Sequence, residues 1–403
     1  MPTARLSAAP ASAPPSRRAL LRGALGVGAL AALGLPAPAP AWAADPAASA
    51  ALAQALARPL RRLAGRGPRR AAASVLVASP SRGLRAQVRL DPAAPDTFHA
   101  ASVGKLFTVA LVGRALDAGA LRLDDKVADL LPAPVLAGLF VVDGADHSGQ
   151  VTIRHLLSHT SGVADYFADP AGPAGGAADR AVAAPQRAWT PEDLLQLTRA
   201  EQRAVAPPGA TFHYSDTGYL LLGRALEQTG GAPFVDQVHA GIFEPLGMAR
   251  SFYPGRSAPA AGGTALRPVY LQGVDLSAAP AITVDEAGGG AASTEDDLLR
   301  FLDALFAGGL LRPETLAALG APQHRFVRGL WCGNGLMRWR LGELSPALRR
   351  LPELEGHMGV LGVQAFRTRG DDVSVVVSMG SDDANPASAR LMIAALMGAL
   401  RMR

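Results

Sequence analysis

Short apolar runs bounded by turn residues mark both ends of this chain, while helix start signals dominate its middle. Near the N-terminus, Ala73 to Ala78 reads as a strand, and Gly83 to Leu90 as a second. Ser79-Pro80-Ser81-Arg82 between them supplies the turn of a hairpin. Near the C-terminus, Val363 to Arg367 and Val373 to Met379 form another predicted strand pair across Arg369-Gly370-Asp371-Asp372. A final helix is expected after Asn385-Pro386, with apolar positions from Leu391 to Leu400. Before the first strand, the Ala/Leu-rich stretch from Ser49 to Leu63 predicts a helical lead-in.

In the middle, Thr190-Pro191-Glu192-Asp193 combines a cap, a proline at the first helical position and acids in the first turn. Ser293-Thr294-Glu295-Asp296-Asp297 does the same ahead of Leu298 to Phe306, and a further helix is predicted from Tyr219 to Glu227. The economical architecture is an α/β (α+β) fold with a sheet built from both chain ends and a helical region, roughly residues 118–290, inserted between them. Two Ala/Gly/Pro-rich stretches, Ala168 to Ala188 and Pro254 to Ala265, read as surface loops.

The first 43 residues change the composition argument. Paired arginines, Arg17-Arg18, precede an apolar run from Gly23 to Leu35, and Ala41-Trp42-Ala43 offers a cleavage site. This is the layout of an export signal, and the arginine pair resembles a twin-arginine signal. A lead-in (residues 44–70) and one large domain (71–403) would follow, in a periplasmic or secreted protein without a membrane span. Net charge is +5, but Arg5, Arg17, Arg18 and Arg22 lie in a signal without acids, so the remainder is near +1. No basic run with interleaved aromatics suggests nucleic acid as a partner. Cys332 stands alone, which excludes an intrachain disulfide and a cysteine-based metal site. His155 and His159 are four apart but lack the acid of an H-E-x-x-H site and read as structural. Neither a metal nor another cofactor is expected, and the predicted partner is a small-molecule or short-peptide substrate.

Lysine is the scarce residue. Of 39 basic side chains only Lys105 and Lys126 are lysines, and Lys105 stands three residues after Ser102. Arginine does not give up its proton at working pH, whereas a buried or crowded lysine can. A serine hydroxyl needs such a proton acceptor before it attacks a carbonyl, and positions i and i+3 share a helix face. Further along, the turn-rich segment Pro207 to Gly218 presents Tyr214, whose phenol could share the serine's proton if Lys105 supplies positive charge. Gly356-His357-Met358-Gly359 precedes the strand predicted at Val363. Its glycines allow backbone to approach a substrate, a strand edge there offers N–H groups to an oxyanion, and His357 could donate to substrate or tyrosine. Trp331 and Trp339 either line a pocket or pack.

Together, Ser102-Lys105, Tyr214-Ser215-Asp216 and His357-Met358-Gly359 resemble the three active-site motifs of the serine β-lactamase-like superfamily, in the right order. The nearest branch holds class C β-lactamases, D-alanyl-D-alanine carboxypeptidases of the same type (peptidase family S12), and related esterases and amidases. Leu156 to Gly162, Phe243 to Met248 and Ala287 to Ser293 also look like family segments. The resemblance implies an antiparallel sheet flanked by helices plus an all-helical domain, the β-lactamase/transpeptidase-like fold. It implies that Ser102 is the nucleophile, that Lys105 and Tyr214 handle its proton, and that the N–H groups of Ser102 and Val360 form an oxyanion hole. Asp216, His357, Gly359 and Val360 would then contact substrate.

Three departures bear on the substrate. Asp216 replaces the usual asparagine, and a carboxylate cannot donate to a substrate carbonyl; it is expected to pair with Lys105 instead. Met358 replaces a hydroxyl residue, and Val360-Leu361-Gly362 makes the rim apolar. The expected reaction is acyl transfer through Ser102 on an ester or apolar amide, ahead of a peptidoglycan peptide or a β-lactam. The alternative is a binding or sensing module that keeps the fold without turnover. The G-x-S-x-G elbow of α/β-hydrolases is absent.

Overall fold

A computed structural model describes residues 43–402 apart from residue 66. Nearly all of the expected export signal therefore lies outside the described residues. Eight antiparallel strands form the main sheet: β1 (Ser74–Ser79), β2 (Leu84–Arg89), β3 (His324–Val327), β4 (Leu330–Cys332), β5 (Met337–Trp339), β6 (Leu354–Gly359), β7 (Val363–Thr368) and β8 (Ser374–Ser378). Their order across the sheet is β2-β1-β8-β7-β6-β5-β4-β3, so the two chain ends meet where β1 pairs with β8. The predicted hairpins stand where the turn residues put them. Pro80–Arg82 forms a single 3₁₀ turn closed by Gly83 at φ +61°, a conformation that glycine adopts at little cost.

Strand alternation divides the sheet's side chains between two cores. On one face Val75, Val77, Val375, Val377 and Phe366 pack under α1 (Pro46–Ala64) and the C-terminal α8 (Asn385–Arg401). The lead-in helix is thus part of the domain's packing, with Leu52, Leu56 and Leu60 buried in that layer. On the other face Leu76, Ala78, Ala365 and Val376 meet a larger core shared with α2 (Lys105–Asp117) and α6 (Glu295–Phe306). Every residue of α2 from Lys105 to Ala115 is buried, which explains why this helix is apolar on all sides and shows no polar stripe. Phe107 in its first turn packs edge-to-face on Phe243 and Phe301, with ring centroids 5.1 and 4.8 Å away.

Between α2 and α6 the chain runs mainly through helices and long loops, with two hairpins of two-residue strands and a short strand, Ala292–Ser293, that pairs with Phe98–His99; its helices include α3 (Ile153–Leu157), α4 (Pro191–Glu201) and α5 (Asp216–Gly230). After α6 comes α7 (Pro313–Gly320). Thr190 and Thr294 cap α4 and α6 as predicted, each accepting from the N–H three residues on. The expectation of a surface loop at Ala168 to Ala188 is corrected. A helix spans Ala177–Ala183, and Ala171, Ala177 and Ala181 are fully buried, because alanine fits where neighbouring backbones approach closely. Among the described residues no helix is long and apolar enough to cross a membrane.

Candidate active site

Ser102 sits in a 3₁₀ turn, Ala101–Gly104, that runs directly into α2, so the predicted i, i+3 pairing with Lys105 is made across the junction. The turn is strained. Ala101 has φ +48°, a left-handed conformation that costs a non-glycine residue about 1–3 kcal/mol. Neighbouring elements hold it there. The Ala100 N–H donates to Ala291 O at 2.8 Å, and the Ala101 N–H donates to Nδ1 of His99 at 3.1 Å.

Two glycines make the close packing around this turn possible. A Cβ on Gly289 would lie 2.6 Å from Ala101 O, and one on Gly359 would lie 2.8 Å from Ala100 O and 3.1 Å from the Ser102 nitrogen. Strand β6 continues past the end of β5, whose last partner on it is Gly356, so residues 357–359 present an open edge beside Ser102. Gly359→Ala should therefore push the strand off the serine and lower kcat/KM by about 10²-fold, the usual penalty for a misplacement near 1 Å. Ester turnover beside a thermal melt checks this, and activity within twofold of wild type contradicts it.

Lys105 is completely buried, and its ammonium has three acceptors. Nζ donates to Ser102 Oγ at 3.2 Å, to Asp216 in a close ion pair, and to the carbonyl of Gly288. Burial pulls its pKa down. The charge of Asp216, the Tyr214 hydroxyl, the charge of Asp285 and the hydrogen bond to Asp216 outweigh burial, so the lysine holds its proton more tightly than usual. Tyr214 stands beside both Ser102 and Lys105, with the Lys105 ammonium 5.0 Å from the centre of its ring. Burial raises the phenol's pKa, and the nearby ammonium only partly offsets that rise. Asp216 opens α5, where the helix dipole favours a carboxylate.

Sequence reasoning missed two further acids here. Asp165 accepts the N–H of Asp216 at 2.9 Å, and Asp285 accepts the Tyr166 hydroxyl at 2.9 Å. Burial, then the charge of Asp216, pushes each carboxyl up to about 7. They come from loops 120 residues apart (165 and 285), so spacing carried no signal. The run Gly288-Gly289-Gly290 was the one visible hint of close approach.

His159 carries no catalytic contact but shapes the site. Its ring stacks on Tyr214 at 4.1 Å and on Tyr219 at 5.0 Å, and its Nδ1 accepts the Ser215 N–H at 3.1 Å. His155 caps its own helix, so this histidine pair does not converge on a metal-like site.

A cavity of about 280 Å³ opens over the serine, lined by Ser102, Tyr214, Asp216, Met358, Gly359 and Val360 among mainly apolar side chains. Of the predicted substrate-contacting residues, His357 is the one that does not line this cavity. Strand alternation turns Met358 toward the cavity and His357 away, where it is 1% exposed with Nδ1 2.7 Å from Met358 O. Burial and then Lys105 bring its pKa down to about 3, so it is neutral. Trp339 packs in the sheet core, and Trp331 donates to Glu343 at 3.0 Å; neither lines the cavity.

The sheet, the serine and tyrosine grouped around a buried lysine, and the open strand edge define a serine hydrolase of the β-lactamase-related kind. The chain belongs to the beta-lactamase family, whose model matches residues 83–396. Among solved structures it is similar to a D-stereospecific amidohydrolase from Streptomyces sp., with a TM-score of 0.70 and 25% identity over 84% of this chain and 98% of that one. Esterase EstB of Burkholderia gladioli is 29% identical over 71% of this chain and 78% of its own length. Penicillin-binding protein 4 of Amycolatopsis lactamdurans is 36% identical, but the match spans only 39% of this chain and 36% of that protein.

Proposed function

We propose that this protein hydrolyses an ester or an apolar amide through an acyl-enzyme on Ser102. The observation that carries this reading is the hydrogen bond from the sole buried lysine to the serine hydroxyl, at the floor of a mainly apolar cavity. Ser102 Oγ would attack the substrate carbonyl, and its proton would pass into the Lys105–Tyr214 pair. The developing oxyanion would be held by the N–H groups of Ser102 and Val360. Collapse of the tetrahedral intermediate would break the ester or amide bond, with the leaving group taking the proton from that pair. Water would then attack the acyl-enzyme by the reverse path, releasing the acid and the free serine.

Asp216 and Met358 set the preference. Asp216 is committed to Lys105, and its charged carboxylate offers no donor to a substrate amide. Met358 gives the third motif an apolar surface. Similarity to an esterase and to an amidohydrolase supports the same substrate range. We further propose that residues 1–43 direct export and that the enzyme works in the periplasm or outside the cell. A turnover panel tests the activity: short-chain nitrophenyl esters, D-amino-acid amides, D-Ala-D-Ala peptides and a chromogenic cephalosporin. Steady hydrolysis of the first two groups is expected. A single stoichiometric acylation without turnover on every substrate would instead mean a binder or sensor.

A further inference from the structure

Tyr166 is fully buried and does not line the cavity over Ser102, yet it joins the two segments that hold Lys105. Its hydroxyl donates to Asp285 Oδ1 at 2.9 Å, at the head of the loop that carries Gly288. Its backbone N–H donates to Thr217 Oγ1 at 3.0 Å, in the first turn of α5 beside Asp216. Asp216 and the carbonyl of Gly288 are two of the three acceptors of the Lys105 ammonium. One residue therefore bridges the mounts of both.

The packing around Gly288 couples its carbonyl to that bridge. A Cβ on Gly288 would lie 2.6 Å from Asp285 Oδ1 and 3.1 Å from Asp216 Oδ1, so its backbone is wedged between the two carboxylates. Asp285 Oδ1 also accepts the N–H of Glu286 at 2.7 Å, which makes this oxygen the point where the hydroxyl grips the loop. From the other side Thr108 of α2 donates to Ala287 O at 2.7 Å, a second tie that holds the loop in the core. An ammonium presents three donors in fixed tetrahedral directions. With Asp216 and Gly288 held in place, the third points at Ser102, whose Oγ lies 3.2 Å from Nζ.

We propose that Tyr166 is a positioning residue for the reaction at Ser102. Through Asp285 and Thr217 it fixes the Gly288 carbonyl relative to Asp216, and so aims Lys105 Nζ at the serine hydroxyl. Without the tyrosine hydroxyl the Gly288 carbonyl shifts relative to Asp216, and the ammonium follows its acceptors away from Oγ. Because Tyr166 does not line the cavity, the loss falls on proton transfer and leaves substrate binding alone. Lys105 serves both acylation and deacylation, so kcat falls while KM stays. This rests on Ser102 acting as the nucleophile with Lys105 handling its proton.

Two variants of the full chain test this on a short-chain nitrophenyl ester, each at its pH optimum. Tyr166→Phe keeps the buried ring and removes only the hydroxyl. It should lower kcat by about tenfold or more, approaching the 10²-fold of a misplacement near 1 Å, with KM within about twofold of wild type. Both hydrogen bonds that Asp285 accepts run to Oδ1, so the amide oxygen of Asp285→Asn can keep them while the charge is lost. Asp285→Asn should therefore retain at least about fivefold more kcat than Tyr166→Phe. A Tyr166→Phe kcat within twofold of wild type would overturn the proposal, and so would a rise in KM that accounts for the loss. An Asp285→Asn enzyme that loses as much kcat as Tyr166→Phe would also overturn it, because charge rather than position would then be the cause. Where a variant melts early, kcat is taken at a temperature where circular dichroism shows it folded. A failure of the underlying reading looks different, because Ser102→Ala would then still hydrolyse the ester.

Discussion

Lys105→Arg should lower kcat/KM on a good ester substrate by about 10³-fold, the scale expected when a proton-transfer group is lost. The substitution keeps the positive charge beside Asp216 and removes the only proton at this position that can leave at working pH. In the resting arrangement all three protons of Nζ have acceptors: Ser102, Asp216 and Gly288. Nζ therefore accepts the serine's proton only as one of its own moves to a neighbour, and Asp216 is bonded to the same nitrogen. A guanidinium cannot make that exchange. Because Lys105 is 0% exposed, the larger side chain must be checked for folding by circular dichroism and a thermal melt. A folded Lys105→Arg enzyme within tenfold of wild type would mean that the lysine supplies only charge. Tyr214 would then be the base, and Tyr214→Phe would show the collapse instead.

Asp216→Asn should move the acid limb of the kcat/KM profile to lower pH by about 1–3 units, the range for losing an opposite charge in direct contact. The sign follows from the neighbours. The carboxylate raises the pKa of Lys105 and also that of Tyr214, so removing its charge lets either group lose its proton at lower pH. The same change brings down the carboxyls of Asp165 and Asp285, which its charge helps to hold near 7. On the acid limb, at about pH 6, the variant should therefore be faster than wild type by tenfold or more. The amide also supplies a donor toward the cavity, so turnover of a cephalosporin should rise relative to the ester. A full pH profile of both proteins on one ester decides. An unmoved limb would show that the Lys105–Asp216 pair does not set the working protonation state.

The fold was legible where the chain punctuates itself. Pro80 and Gly83 bound the first hairpin, Gly370 bounds the β7–β8 turn, and Asn385-Pro386 opens α8. Strands β3 to β5 escaped notice because each has three or four residues, glycines separate them, and a bulge at Leu330/Trp331 breaks their alternation. Strand β6 shows little strand pattern in the sequence for a related reason. Gly356 and Gly359 lower its strand character, yet a Cβ at either would collide with neighbouring backbone. The core of the site was visible because Ser102 and Lys105 are adjacent on one turn and Tyr214 stands next to a helix start. The chemistry that depends on distant segments was not. Asp165 and Asp285 reach the serine only through the fold, and the backbone acceptor at Gly288 has no side-chain signature.

The central claim is that Ser102 carries the acyl group. Brief incubation of the full chain with an activated ester, acid quench and intact mass analysis should show one added acyl mass, located by peptide mapping to the segment that contains Ser102. The adduct should be absent from Ser102→Ala, which should also lose hydrolysis. An adduct of equal extent in Ser102→Ala, with its hydrolytic rate intact, would contradict the account.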